Sequence, residues 1–178
     1  MMRGFTWGPV LAEAAKGDLP LVRVASSAAA VAKEFGGRQP VYLATPYSKE
    51  VTDVLGAWSY DLSKSMQRRA ERAALELMQA GVSAFSPIAL SVGMIHAAGQ
   101  FHGQTGGGVK FQCSLDPMDS AVWQRWCQPF LNICGAVVVP DIPGWDHSDG
   151  IKAEVAFAIG RDRSEERRVG KECLRLCR

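Results

Sequence analysis

Pro40-Val-Tyr-Leu-Ala-Thr-Pro-Tyr-Ser48 is the stretch on which the fold is decided. Pro40 precedes a short apolar run, Val41 to Ala44, and Thr45-Pro46 stops it, as expected of a buried strand entering a loop. Working outward, a long amphipathic helix is expected from about Tyr60 to Ala80. Its apolar positions Leu62, Met66, Ala70, Ala73, Ala74, Leu77 and Met78 share one face, and Gly81 is placed to close it. Val82 to Phe85 then reads as a second strand, stopped by Ser86-Pro87, with a short helix over Leu90–Ala98.

Further along, Trp123, Trp126, Cys127, Phe130, Leu131 and Cys134 step along one helical face, with a kink or break expected at Pro129. Ala136 to Val139 reads as a third strand, Asp141 to Ser148 as a loop, and Gly150 to Ile159 as a last helix. Strand and helix alternate, which is the pattern of a mostly parallel sheet covered on both faces. The expected fold class is therefore α/β: a three-layer α/β/α sandwich of Rossmann or flavodoxin-like type. In such sheets ligands bind outside the carboxyl ends of the strands. The loops after the three strands should converge there.

Three regions stand apart. Residues 1–39 are Ala- and Gly-rich, with one helical candidate over Ser26–Phe35, and read as an appended N-terminal segment. Phe101 to Pro117 contains Gly106-Gly107-Gly108 and reads as a long mobile loop of lid type. Residues 163–178 change composition abruptly, and the first eleven resemble an in-frame translation of a common sequencing adapter. They are read as an artefact or a disordered tail and left out of the fold reasoning. That tail carries six Lys/Arg against three Asp/Glu, so the formal net charge of +2 is no guide to an acidic partner.

Composition narrows the function classes. No apolar run approaches the roughly 18–20 residues a membrane span needs. Charged residues interrupt the first apolar stretch, so no secretory signal is read and a cytoplasmic location is expected. Three scattered histidines and no Cys-x-x-Cys pair argue against a metal site. Neither phosphate-loop fingerprint occurs. Arg68, Arg69 and Arg72 read as a solvated helix face, so neither nucleic acid nor membrane is an expected partner.

The loops Thr45-Pro46-Tyr47-Ser48, Ser86-Pro87-Ile88 and PGWDHSDGIKAE, residues 143–154, occur in that order. Together they resemble the nucleoside 2-deoxyribosyltransferase-like superfamily. The nearest branch comprises short bacterial and phage proteins of undefined function with YLATPYS and GWxxSxGxxxE motifs. The resemblance runs from about Pro40 to Gly160, and residues 40–162 are taken as the domain. It implies transfer or hydrolysis at the N-glycosidic bond of a (deoxy)nucleoside or nucleotide, without cofactor, in a homo-oligomer. Glu154 matches the nucleophile, preceded by Asp149-Gly150, and Tyr47 the aromatic residue beside the nucleoside. The family's carboxylate on the helix before the third strand has no counterpart, because that region reads Cys127-Gln128-Pro129.

The chemistry supports that assignment on its own terms. Breaking the bond exposes positive charge at the anomeric carbon, and a carboxylate nucleophile divides the reaction into two easier steps. The expected catalytic residues are Glu154, set in the first turn of its helix, and Asp149. Expected ligand contacts are Thr45, Pro46, Tyr47, Ser86, Pro87, His96, Asp119, Trp145, Ser148 and Gly150. Simpler readings stand beside these. Ser148 and Asp149 suit helix caps, Glu154 a solvated acid, Trp123 and Trp126 a core or interface stripe, and the cysteines buried thiols. As a whole, the chain is read either as an enzyme or as a non-catalytic nucleoside- or nucleotide-binding module.

Overall fold

The computed structural model describes residues 5–19, 22–103, 109–165 and 173–177. It is an α/β architecture. In chain order the elements are α1 (Trp7–Lys16), β1 (Val22–Ser26), α2 (Ala28–Phe35), β2 (Val41–Leu43), α3 (Tyr60–Gln79), β3 (Ala84–Phe85) and α4 (Pro87–Ala98). There follow β4 (Gly99–Gly103), β5 (Val109–Cys113), α5 (Ser120–Ile133), β6 (Ala136–Val139), α6 (Asp149–Glu165) and β7 (Cys173–Cys177). Five strands form one parallel sheet in the order β1-β7-β6-β2-β3. Among the described residues no helix is long and apolar enough to cross a membrane.

Strand β2 lies between β6 and β3, with Val41 opposite Ala136 and Ala84. Its three residues are fully buried because helices cover both sheet faces. The alternation of a strand sends them to different layers. Val41 and Leu43 pack with Val31 and Phe35 of α2 and Leu77 of α3. Tyr42 and Ala44 pack with Leu131 of α5 and with Ile151 and Val155 of α6.

Local chemistry sets the helix ends. Ser59 caps α3 by accepting from the Leu62 amide at 3.4 Å, and Gly81 closes it in the left-handed region at φ 87°. Ser86 caps α4, accepting from the Ala89 amide, and Pro87 supplies the preset φ of a first helical residue. Helix α4 thus begins three residues before the expected Leu90. Helix α5 continues through Pro129.

Two other expectations are revised. Phe101–Pro117 is not a structureless loop: β4 and β5 form an antiparallel hairpin with Phe101 opposite Phe111, while residues 104–108, the triple glycine among them, lie outside the described residues. A Cβ at Gly99 would collide with the tip of the Phe111 ring, so another residue here would have to displace that side chain. The described residues of the N-terminal segment contribute to the core. They supply Trp7, which meets Trp145, as well as the buried Val22, Val31 and Phe35. The helix expected from Ser26 starts at Ala28, because Ser26 ends β1 and Ser27 caps α2 by accepting from the Ala30 amide. Within the tail set aside above, the main chain of Cys173–Cys177 runs as β7 between β1 and β6.

Leu43→Ala removes a side chain with no exposed surface from the central strand. It should cost about 2–5 kcal/mol. Urea unfolding should show this as a lower midpoint at unchanged slope.

Candidate active site

A cavity of about 410 Å³ opens at the carboxyl ends of β2, β3 and β6. The loop after β2 forms one wall, α4 and α5 form two others, and the start of α6 closes it. Its deepest chemical feature joins the sheet to α6. The Tyr42 hydroxyl, buried on β2, donates to Glu154 Oε1 at 2.6 Å. Desolvation pushes the Glu154 carboxyl up to about 7, an effect that the phenol's hydrogen bond partly offsets. The same burial, with the Glu154 charge beside it, pushes the Tyr42 phenol far above its ordinary value, so it stays a proton donor. Burial also pushes the neighbouring Cys127 thiol up to about 11. It is therefore a neutral group at this wall.

Glu154 is not in the first turn of its helix. The helix starts at Asp149, so Glu154 falls in the second turn, beyond the free amides on which the sequence reading relied. The Tyr42 phenol takes over their role.

The first loop is held to the third by charge. Lys49 Nζ lies 2.9 Å from Asp149 Oδ2 and donates to the His147 carbonyl at 2.8 Å. The hydrogen bond and charge of Lys49 hold the Asp149 carboxyl below its ordinary value, although Asp149 is exposed at the rim. Ser148 accepts from the Ile151 amide at 3.3 Å and so caps α6, while a Cβ at Gly150 would meet only Ser148 Oγ, at an ordinary contact distance of 3.8 Å. Gly144 takes φ 95°, and a Cβ there would strike the Glu50 carboxyl. At that φ any other residue would be strained, and the Glu50 side chain would have to move. The ionisable side chains described along the cavity are Tyr47, Lys49, Glu50, Cys127, Asp149 and Glu154, with Lys49 the only cation among them.

Eight of the twelve expected site residues line this cavity: Thr45, Pro46, Tyr47, Pro87, Ser148, Asp149, Gly150 and Glu154. Thr45 is buried, and its hydroxyl has no hydrogen-bond partner among the described residues. Tyr47 contributes its ring, since its hydroxyl is engaged by Ser63 Oγ at 2.8 Å and Trp58 Nε1 at 3.0 Å.

The other four do not line it. Ser86 is spent as the α4 cap, and Asp119 caps α5 by accepting from the Ala121 and Val122 amides. His96 turns toward Tyr60, Trp58 and Phe111, with its ring 4.4 Å from that of Tyr60, and desolvation lowers its pKa. Trp145 packs edge-on to Trp7 with centroids 4.8 Å apart.

Sequence reasoning missed Tyr42, Cys127, Trp123, Gln124 and Ser91. One signal for Tyr42 was available. A tyrosine inside a strand apolar on both faces needs a partner for its hydroxyl. Among the described residues no cluster of three or more His, Cys, Asp or Glu could hold a metal ion.

A family model described as a domain of unknown function (DUF1937) matches residues 39–166, well over half of the chain and all of the cavity walls. The chain belongs to the DUF1937 family. No curated protein matches it. In DUF1937 terms, the matched region begins at the residue before Pro40 and extends through α6.

The shifted acid makes stability depend on pH. With a folded value near 7 against an ordinary 4.5, the native state keeps a proton that the unfolded chain releases first. The resulting stability is full below about pH 4.5 and is lost as pH rises through 7, by roughly 3 kcal/mol. Denaturant unfolding between pH 4.5 and 8 should show this decline in the native protein and a markedly shallower one in Glu154→Gln. Parallel curves would mean that the carboxyl is not desolvated.

Proposed function

We propose that this DUF1937 protein cleaves or transfers at the N-glycosidic bond of a (deoxy)nucleoside or nucleotide, with Glu154 as nucleophile. The observation that carries the reading is the part-buried phenol–carboxyl pair, whose carboxyl lines a nucleoside-sized cavity. A carboxylate there meets the requirement for charge capture at the anomeric carbon. Its Oε1 is held by Tyr42, which fixes the orientation of the attacking group.

In the first step a Glu154 oxygen bonds to the anomeric carbon as the carbon–nitrogen bond breaks. The electron pair leaves with the base, which takes a proton from solvent. In the second step, water or another base displaces the carboxylate, and configuration is retained overall. Low polarity around Glu154 favours this chemistry, because a desolvated anion is strongly stabilised by the cation forming beside it. Charge on the walls favours the nucleoside over its phosphate. Three carboxyl groups face the cavity, and Lys49 is already paired with Asp149.

Incubating the protein with deoxynucleosides and separating the products by chromatography tests this. Base should be released, and faster from the nucleoside than from its 5′-monophosphate. Added second base should exchange if the enzyme is a transferase. Glu154→Ala should lower release by roughly a thousandfold or more while leaving the fold intact. The rate should rise with pH and level off above about 7, where Glu154 is ionised. Tyr42→Phe should move that inflection upward, since the phenol's hydrogen bond lowers the acid's pKa. Unchanged turnover in Glu154→Ala would remove the nucleophile from the scheme. Binding without release in the native protein would identify a non-catalytic module instead.

A further inference from the structure

The wall formed by α5 has no assigned role, and its composition is unlike the rest of the cavity. Ser120, Trp123, Gln124 and Cys127 line it, and their spacing of three, four and seven residues sets them on one helical face. None of these side chains is charged, given the raised thiol pKa of Cys127. The Cys127 end adjoins Tyr42 and Glu154. At 1.5 Å per residue, Gln124 stands about 4.5 Å and Ser120 about 10.5 Å farther along the helix axis. A planar base joined to a sugar carbon within reach of Glu154 falls at the height of Trp123 and Gln124.

Both side chains suit that position. Trp123 is half-buried, its Nε1 donates to the Asp116 carbonyl at 3.0 Å, and its edge meets Trp126 at 6.3 Å between centroids. The indole is therefore oriented before any ligand arrives, which lowers the cost of stacking on it. Gln124 is exposed, and its carboxamide, which offers both donors and an acceptor, has no hydrogen-bond partner among the described residues. Opposite, Ile88, Ser91 and Ile95 of α4 supply a largely aliphatic face.

We infer that α5 is the base-reading wall of this cavity, Trp123 stacking on a purine or pyrimidine and Gln124 reading a donor–acceptor pair on its edge. The inference rests on the N-glycosidic reading of the site.

Calorimetry on a Glu154→Gln background, where ligand is not consumed, separates the two. The ligands are deoxynucleosides of the four common bases and free deoxyribose. Trp123→Ala should weaken all four nucleosides about tenfold, Trp123→Phe should recover most of that loss, and deoxyribose should be indifferent to both. Gln124→Leu, on an exposed site that leaves the fold unaffected, should change the ranking among bases about tenfold. Circular dichroism and thermal unfolding verify each variant. Should Trp123→Ala not fold, Trp123→Phe and Gln124→Leu carry the test.

If the parent protein binds nucleosides but these substitutions leave every affinity within twofold, the wall is overturned while base release by the native enzyme still stands. If the binding pattern holds and the native enzyme releases no base, the chemistry fails and the wall survives. If no nucleoside binds at all, both fall.

Discussion

The hydrogen bond between Tyr42 and Glu154 is the constraint on which the rest of the site depends. Each partner is expensive to bury alone. A phenol sealed inside a sheet layer needs an acceptor, and a carboxyl taken out of water needs a donor. Leaving either group unmatched costs about 1–3 kcal/mol. Their pairing at 2.6 Å joins residues 112 positions apart and fixes α6 against the central strand. Helix α6 cannot slide along the sheet without breaking it. The carboxyl is thereby held at one depth beneath the cavity.

Two further contacts carry that rigidity to the rim. Lys49 spans from the first loop to Asp149 and the His147 carbonyl, so the loops after β2 and β6 are held together at their tips. Gly144 lets the same two loops approach closer than any side chain would permit, with Glu50 occupying the space. The exposed ion pair contributes little to stability by itself. Its effect is to fix the relative position of the two loops at the cavity rim.

Repetitive elements were legible in the sequence, and so was the convergence of post-strand loops. Periodicity located β2, α3, β6 and most of α5, because burial imposes the same spacing wherever those elements occur. The four expected contacts that lie elsewhere share a physical reason. Ser86 and Asp119 are residue types that serve equally as caps or ligands, and here helix ends claimed them. His96 and Trp145 sit on the correct elements, yet their rings turned to aromatic neighbours. Tyr42 and Cys127 were hidden for the opposite reason, since their apolar surroundings matched a plain core. Long-range pairing such as Tyr42 with Glu154 leaves no local pattern. The hairpin of β4 and β5 escaped notice because its glycines suggested a loop, whereas Gly99 admits the Phe111 ring.

The place of Cys127 explains a departure that the sequence alone made puzzling. A second carboxylate at that position would face Glu154 in a poorly solvated pocket. Two like charges so placed oppose each other, so the second of the two protons to leave would do so at a strongly raised pKa. Glu154 already stands at about 7 through desolvation alone, opposed by a single phenol donor. An added acid there would leave the two carboxyls sharing one proton through neutral pH. The thiol of Cys127 fills the same space without charge at neutral pH. With Cys127 neutral, Glu154 ionises without competition from a second carboxyl at that position.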